Sequence, residues 1–447
     1  VNDTIAAVAT AGGVGSVAIV RLSGEKSLEI AKKVTSKNTF KPRYATLTDL
    51  YDTQGELIDE AIVIYFKAPH SFTTEDVVEF QCHGGTVIAE KILHTLLRYG
   101  ARLAEPGEFT KRAFLGGRID LTEAEAIAKL IEAKSEDAAK ILARQMKGEL
   151  KEFVDDAREK LLRAVAFAEV TIDYAEEDLP EDLIQNILSQ LQELEKKLDS
   201  ILSSSLRRRG MIEGFKVSIV GKPNVGKSSL LNAVLNYERA IVSSIPGTTR
   251  DTIEEQIRVG SHLVRIVDTA GIRQSADTIE KIGIERSVSA IEESDIVIAL
   301  FDASRPWDEE DEQILSLLKR FKNEKEIIVA LSKTDLEREL DVSKLETFAP
   351  IELSKLNRAE KIVAELQKRL AKMAGGDELL LISARQIEAV KRARDSVMEA
   401  KEPLLSGELE IFSFHLSDAI SAISSISKPV DFNDIMDKMF AEFCLGK

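Results

Sequence analysis

The sequence predicts a multidomain α/β chain, and three observations carry that reading. Residues 1–118 mix short β-rich runs with a helix, residues 119–210 keep an unbroken helical period, and residues 211–372 alternate strand-like and helical runs. Alternation of the last kind marks a parallel sheet with helices on both faces. The helical texture returns over residues 373–447, so an α/β unit lies between two helical segments. That order reads as an insertion into one helical domain made from two parts of the chain. A length of 447 residues fits about three domains.

Each element follows from local chemistry. Residues 17–22, 61–66 and 77–81 are short and rich in β-branched or aromatic residues, as strands are. After His83, Gly84 and Gly85, the set Ile88, Ile92, Leu96 and Tyr99 keeps helical spacing and stops at Gly100. In the helical segment Ile184, Ile187, Leu191, Leu194, Leu198 and Ile201 recur at three- and four-residue steps, the apolar stripe of a bundle helix. Arg207, Arg208 and Arg209 before Gly210 mark a boundary and read as a solvated hinge. Buried-strand runs then fall at 216–220, 264–268, 296–301 and 327–331.

Composition excludes several classes. Lys+Arg 60 against Asp+Glu 76 gives a net charge of -16, which argues against a surface that coats nucleic acid throughout. At 44% hydrophobic residues the chain has material for real cores. Two cysteines, Cys82 and Cys444, make no disulfide framework and fit a reducing compartment. The uncharged stretch 4–20 is Gly-rich and lacks a basic lead-in, unlike a signal peptide, so a cytoplasmic protein without a membrane span is expected.

The chemistry concentrates in the α/β unit. Gly221, Lys222, Pro223, Asn224, Val225, Gly226, Lys227 and Ser228 follow a strand and open a helix, which is the context of a phosphate-binding loop. Its glycines let backbone N–H groups turn inward, and the helix N-terminus adds positive field. Lys227 is placed to reach the β- and γ-phosphates and the Ser228 hydroxyl to ligate Mg²⁺, with Ser229 next to them in the GTP-binding set. Thr248 and Thr249 lie in a polar stretch after the first helix, where Thr249 can meet Mg²⁺ and the γ-phosphate. Asp268 ends a strand and can hold an Mg²⁺-bound water, and the Gly271 N–H can sense the γ-phosphate. Ser332, Lys333, Thr334 and Asp335 end another strand, and the Asp335 carboxylate accepts two bonds that a guanine edge supplies and an adenine edge does not. Together these motifs predict a GTP-binding domain.

Two departures stand out. Ser332 occupies the place where the guanine motif usually has Asn, which predicts a weaker brace, and Ser354 and Lys355 form an imperfect base loop. Ile272 stands where many switches carry a water-orienting Gln, so either another residue of the following loop (Arg273, Gln274, Asp277 or Glu280) holds the water or the protein is a slow switch.

These residues resemble one family, the tRNA-modification GTPase MnmE (TrmE). Further marks are Asp3-Thr4-Ile5, Arg21-Leu22-Ser23-Gly24, the run Ser71 to Asp76, His83-Gly84-Gly85, Glu105 to Thr110, Arg112 to Leu115, Asp120 to Thr122, Ile282 to Arg286, and the tail Phe443-Cys444-Leu445-Gly446-Lys447. The resemblance implies an N-terminal folate-binding α+β domain that forms a homodimer, a two-part helical domain and an inserted G domain. It also implies a flavoprotein partner, MnmG (GidA), that carries FAD, with tRNA as substrate. The complex would add a (carboxymethyl)aminomethyl group to C5 of a wobble uridine, using 5,10-methylene- or 5-formyl-tetrahydrofolate. K⁺ would replace an arginine finger, bound at Asn224, Ser243, Ile245 and Thr248, with Glu280 orienting the water and Thr249, Lys227 and Asn224 acting beside it. Folate contacts would fall on Arg21, Glu79, Lys447 and Arg118, the last where the family usually has Lys. Two other readings share parts of this pattern: a ribosome-assembly GTPase switch, and a folate-dependent one-carbon transferase with a regulatory G domain.

Overall fold

The structure, a computed structural model, describes residues 3–173, 181–241, 254–267, 282–376, 378–428 and Gly446. They fall into two compact units, one of Val1–Glu132, Leu142–Lys196 and Glu388–Lys447, the other of Ala133–Ile141 and Lys197–Ile387.

The first unit opens with strands β1 (Ile5–Val8), β2 (Val17–Ser23), β3 (Thr46–Tyr51), β4 (Leu57–Phe66), β5 (Val77–His83) and β6 (Arg102–Leu103). They form one sheet in the order β3-β4-β5-β2-β1-β6, antiparallel except where β1 meets β6. Period-two alternation turns Ala18, Val20 and Leu22 of β2 and Val78, Phe80 and Cys82 of β5 to one face. There they pack against Ile30 and Val34 of α1 (Ser27–Thr35) and Ile92 and Leu96 of α2 (Thr86–Arg98). The intervening residues take the other face, so Arg21 of β2 stands opposite Glu79 of β5.

Helix α3 (Glu108–Leu115) supplies an internal charge cluster. Arg112, only 6% exposed, donates to Asp3 Oδ1 at 2.7 Å, Glu75 Oε2 at 3.0 Å and Glu108 Oε1 at 2.9 Å. Arg102 donates to Glu108 and Asp3, both at 2.7 Å. Glu75 also accepts from Ser23 at 2.7 Å, and Asp76 accepts from the Tyr65 hydroxyl and the Ala68 N–H, each at 2.9 Å. Burial and the Asp76 bond push the Tyr65 hydroxyl up to about 12. Glu75, Asp76, Glu108 and Arg112 thus tie loops to the sheet.

Helices α4 (Leu121–Glu132), α5 (Glu136–Met146), α6 (Glu149–Asp173) and α7 (Glu181–Arg207) follow, and the short α8 (Arg209–Glu213) leads into the second unit. Ile187, Leu191, Leu194, Leu198 and Ile201 of α7 are buried as their spacing predicts. The second unit continues with β7 (Phe215–Val220), α9 (Lys227–Ile241), β8 (Glu254–Val259), β9 (His262–Val267), α10 (Ile282–Glu293), β10 (Ile296–Asp302), α11 (Glu309–Phe321), β11 (Glu326–Ser332), β12 (Ile351–Glu352) and α12 (Arg358–Ala374). The sheet order is β12-β11-β10-β7-β9-β8. Ile298 and Leu300 of β10 face Leu230 and Val234 of α9 and Leu366 of α12. Val297, Ala299 and Phe301 face Leu315 and Leu318 of α11 on the opposite side. Helices therefore cover both faces.

One strand departs from the parallel pattern. β8 runs antiparallel to β9, because only two residues, Gly260 and Ser261, connect them and a parallel crossover needs many more. Gly260 takes φ +62, the conformation such a tight turn asks for.

The chain ends its described part in α13 (Ala384–Ser406) and α14 (Leu409–Ser427), and α14 packs along α6 and touches α4. Helical segments from before and after the α/β fold therefore share a core, as the insertion reading expects.

Arg208 corrects the solvated-hinge reading of the three arginines. Its residue is 8% exposed, and its guanidinium donates to the carbonyl oxygens of Gly375 and of Gly376, the latter at 3.1 Å, with Glu378 at 3.2 Å. The carbonyls just past the end of α12 lack helical partners and draw the cation in. This bond links the two ends of the inserted fold.

The charge cluster yields a prediction. Arg112→Met leaves buried carboxylates without their cation and should cost about 3 kcal/mol of unfolding free energy, read by urea denaturation. Arg102→Met, removing a more exposed partner, should cost less. Burial raises the Glu108 carboxyl, but the Arg102 and Arg112 bonds outweigh it and hold the group below 4.5. Its contribution is then complete above about pH 4.5 and lost as pH falls through the lower, folded value.

Candidate nucleotide site and N-terminal cluster

β7 is buried from both sides and ends at Val220, and the chain turns at once into the loop that opens α9. Gly221 is required there because a Cβ would lie 2.7 Å from the Leu300 carbonyl oxygen. Asn224 and Gly226 adopt φ of +62 and +106, which swings successive N–H groups to one side of the loop. Asn224 is exposed at the loop tip, while Val225 is buried beneath it.

Lys227 folds back over this loop. Its Nζ donates to the carbonyl oxygens of Gly221 at 2.6 Å and Lys222 at 2.9 Å. Burial pushes its pKa below the ordinary lysine value, against an opposing pull from Glu310. An arriving phosphate would supply the countercharge that burial withholds. The Ser228 and Ser229 hydroxyls sit in the first turn of α9, Ser228 half-buried and Ser229 exposed. A hydroxyl there, next to inward N–H groups, suits a hard cation shared with phosphate oxygens.

Lys222, named in the sequence only as a member of the loop, makes a structural tie. Its Nζ donates to Asp308 Oδ2 at 2.7 Å and Asp311 Oδ2 at 2.6 Å. Those aspartates form a reciprocal capping box at the start of α11. Burial pushes Asp311 up. Burial also raises Asp308, but there Lys222 prevails and holds it below its ordinary value. The spacing Asp308-x-x-Asp311 before an amphipathic helix was the available signal.

The base side assembles at the ends of β10, β11 and β12. The Ser332 hydroxyl donates to the Val225 carbonyl oxygen at 2.7 Å, so the loop brace expected to weaken is in place. Lys333 pairs with Asp302, which is 2% exposed, at 2.5 Å. Burial raises Asp302, but the Lys333 and Ser304 bonds bring it below its ordinary value. The Thr334 N–H donates to Leu353 O at 3.3 Å, which sets the loop of exposed Asp335 beside the one carrying Ser354 and Lys355. The Ser354 N–H is held by Asn357 Oδ1 at 3.0 Å. Ser243, Ile245, Thr248, Thr249, Asp268, Gly271 and Glu280 lie outside the described residues, as do Lys447 and Cys444.

A second cluster occupies the first unit. Arg21 and Glu79 pair across β2 and β5 at 2.8 Å, with the Arg21 guanidinium over the Phe109 ring at 5.6 Å. Gly446 lies at this place. Arg21 Nη1 lies 3.5 Å from the Gly446 carbonyl oxygen, and a Cβ on Gly446 would lie 2.3 Å from the Val8 carbonyl oxygen. Arg118 is exposed on the turn after α3, and no described hydrogen bond or ion pair joins it to Arg21 or Glu79. Cys82 is buried and its thiol is pushed up by that burial and by Asp59, which makes it unreactive.

Residues 4–118 match the family model described as GTP-binding protein TrmE N-terminus, and residues 121–444 match the one described as MnmE helical domain. The chain belongs to the MnmE family. A tRNA modification GTPase MnmE of Sulfurovum sp. (strain NBC37-1) is 62% identical over 446 residues, covering 100% of this chain and 99% of its own. That of Sulfurimonas denitrificans is 60% identical over 446 residues, covering 100% of both chains. A crystal structure of Era with MgGDPNP and ribosomal RNA is 26% identical over 41% of this chain and 67% of its own, with a TM-score of 0.26, an overlap too small to bear on function. Family membership makes the chain a GTP-hydrolysing enzyme that uses a guanine nucleotide with Mg²⁺. Among the described residues no helix is long and apolar enough to cross a membrane.

Lys222→Met should lower unfolding stability by about 3 kcal/mol, since it strands the buried Asp311 charge. The double variant Lys222→Met/Asp311→Leu should recover most of that loss, as a double-mutant cycle in urea would read.

Proposed function

We propose that this chain is the GTP-hydrolysing component of a cytoplasmic complex that modifies tRNA. The complex adds a (carboxymethyl)aminomethyl group to C5 of the wobble uridine, taking the carbon from 5,10-methylene- or 5-formyl-tetrahydrofolate. A flavoprotein partner, MnmG, carries the FAD. The observation that carries this reading is one chain holding two separate clusters: a phosphate loop, and the Arg21–Glu79 pair over Phe109 beside Gly446. A guanidinium, a carboxylate and an aromatic ring suit a flat, polar-edged pterin with an anionic tail. Arg118 and Lys447 would extend the basic side of that site.

Within the phosphate loop, Lys227 exchanges its two backbone carbonyls for β- and γ-phosphate oxygens, and the inward N–H groups of Gly226 to Ser229 hold the rest. Ser228 and Thr249 would ligate Mg²⁺, while Asn224, Ser243, Ile245 and Thr248 would hold K⁺; the two ions supply positive charge where negative charge spreads in phosphoryl transfer. Asn224 fits that duty because its exposed amide stands at the loop tip with no described side-chain partner. Glu280 orients the attacking water, Asp268 and Gly271 sense the γ-phosphate, and Asp335 with Lys333, Ser354 and Lys355 select guanine. Two G domains of a homodimer meet across these faces when nucleotide and K⁺ are bound.

Three measurements test the reading. GTP turnover in KCl should exceed that in NaCl at equal ionic strength at least tenfold, and Asn224→Ala should abolish the difference. Equal rates for the unaltered protein would remove the K⁺ assignment. Tetrahydrofolate affinity should fall about tenfold or more in Arg21→Ala, while GTP binding stays unchanged. The purified chain with its flavoprotein partner, tRNA, tetrahydrofolate, GTP and K⁺ should yield the modified uridine by nucleoside mass spectrometry; no product from the full mixture would overturn the proposal.

A further inference from the structure

Within a chain of net charge -16, two stretches of the first unit hold cations alone. Residues 31–48 contain Lys32, Lys33, Lys37, Lys41 and Arg43 and no Asp or Glu, and residues 61–74 contain Lys67 and His70 and no Asp or Glu. The fold brings their ends together. The loop after α1 runs into β3, the edge strand of the first sheet, which pairs with β4. The Arg43 N–H donates to the Tyr65 carbonyl oxygen and its Nη2 to that of His70, both at 2.7 Å, with the guanidinium 5.8 Å from the Phe66 ring centre. The His70 N–H closes a turn on the Lys67 carbonyl oxygen at 2.9 Å. Lys41 Nζ lies 5.6 Å from the ring centre of Tyr44, a residue 59% exposed, and Lys37 Nζ donates to the Leu47 carbonyl oxygen at 3.3 Å. Among the described residues no carboxylate pairs with Lys37, Lys41, Arg43 or Lys67. Asp76, which reaches this turn, accepts instead from the Tyr65 hydroxyl and the Ala68 N–H.

We propose that this edge of the first unit is an RNA-binding surface, on which Lys37, Lys41, Arg43 and Lys67 take the phosphates of a tRNA loop and Tyr44 stacks on one of its bases. The proposal rests on the reading of tRNA as substrate and gives that substrate a place on the chain. Cations clustered without local countercharge in an acidic protein favour a polyanion. An exposed aromatic ring among them adds the stacking that an unpaired base accepts. Arg43 holds φ +59 and is tied by two hydrogen bonds, so the loop keeps a costly shape before any ligand arrives. The location fits the chemistry as well. Val63 and Tyr65 of β4 turn to the helices, so Ile64 and Phe66 share the open face, and Ile64 stands opposite Glu79, itself opposite Arg21. β3 is two strand spacings, about 10 Å, from Glu79. A loop held at this edge keeps its neighbouring bases close to the Arg21–Glu79 cluster.

The test uses the full-length chain and, as probe, a transcribed tRNA with an unmodified wobble uridine, bound in fluorescence anisotropy across a NaCl series. Lys41→Ala/Lys67→Ala should weaken binding about tenfold and reduce the slope of log affinity against log salt by about 0.7 for each lost contact. Lys41→Arg/Lys67→Arg should keep both. Tyr44→Ala should weaken binding about tenfold with the slope unchanged, and Tyr44→Phe should bind as the unaltered chain does. GTP turnover and tetrahydrofolate affinity should stay the same in every variant. No binding by the unaltered chain, or unaltered affinity and slope in Lys41→Ala/Lys67→Ala, would overturn the proposal. So would variants that keep tRNA affinity but lose self-association or the flavoprotein partner in sedimentation, since the edge would then be a protein contact. Modified uridine from the full mixture, alongside any of those results, would remove this surface and leave the tRNA reading standing.

Discussion

A phosphate loop has to keep a row of N–H groups turned inward before any phosphate is there to receive them, and most of the second unit is arranged around that requirement. The turn costs backbone freedom and leaves carbonyls pointing outward, where they need donors. Three ties meet this need. Lys227 caps the carbonyls of Gly221 and Lys222 from inside, Ser332 caps Val225 from β11, and Lys222 reaches out to the α11 capping box. Each tie comes from a different element, so the loop's shape is shared property of β7, β11, α9 and α11. In the proposed nucleotide complex the Lys227 tie is the one exchanged for phosphate oxygens, while the Ser332 and Lys222 ties hold the loop from outside it.

The same economy of charge explains how an inserted fold keeps its ends together. An insertion must begin and end near one point, and the loose carbonyls past α12 would otherwise face water. Arg208, a residue of the connection into the fold, satisfies them across more than 160 positions of chain. Gly376 makes room for it, since a Cβ there would fall 1.9 Å from the guanidinium. α14 then returns to α6, and the helical segments interrupted by the insertion complete one core.

Much of this was legible in the sequence, and what was not has a common cause. Short β-rich runs placed β2, β4 and β5 of the first sheet and β7, β9, β10 and β11 of the second, and helical spacing placed the buried stripe of α7, whereas β1, β3, β6, β8 and β12 were not read. The phosphate loop was readable because its glycines and lysine act within eight residues of one another. Side chains whose meaning depends on a distant partner were misread. Arg208 looked like a solvated charge because its acceptors lie at Gly375 and Gly376. Ser332 looked like a loss because its acceptor, Val225, lies 107 positions away. Glu75, Glu108 and Arg112 entered only as marks of the family resemblance, and the structure pairs them with one another. Arg21 and Glu79 were singled out by resemblance alone, and the register of β2 with β5 is what sets them face to face.

The hairpin of β8 and β9 shows how the two kinds of segment meet. It lies between residues 242–253 and 268–281, the stretches that carry Thr249, Asp268 and Glu280. Within the second unit the hairpin is held by the start of α5 and the residues before it. Asp137 accepts from Ser261 at 2.7 Å and lies 2.8 Å from His262 Nδ1, while Lys134 donates to Gln256 at 2.8 Å and accepts from Arg258 at 2.8 Å. Four contacts on a two-stranded ribbon are more than an edge strand needs for shielding. They fix the hairpin to Lys134 and Asp137 within the second unit. Lys134 just precedes α5 and Asp137 lies in its first turn, so this short helical stretch closes the open edge of the second unit's own sheet.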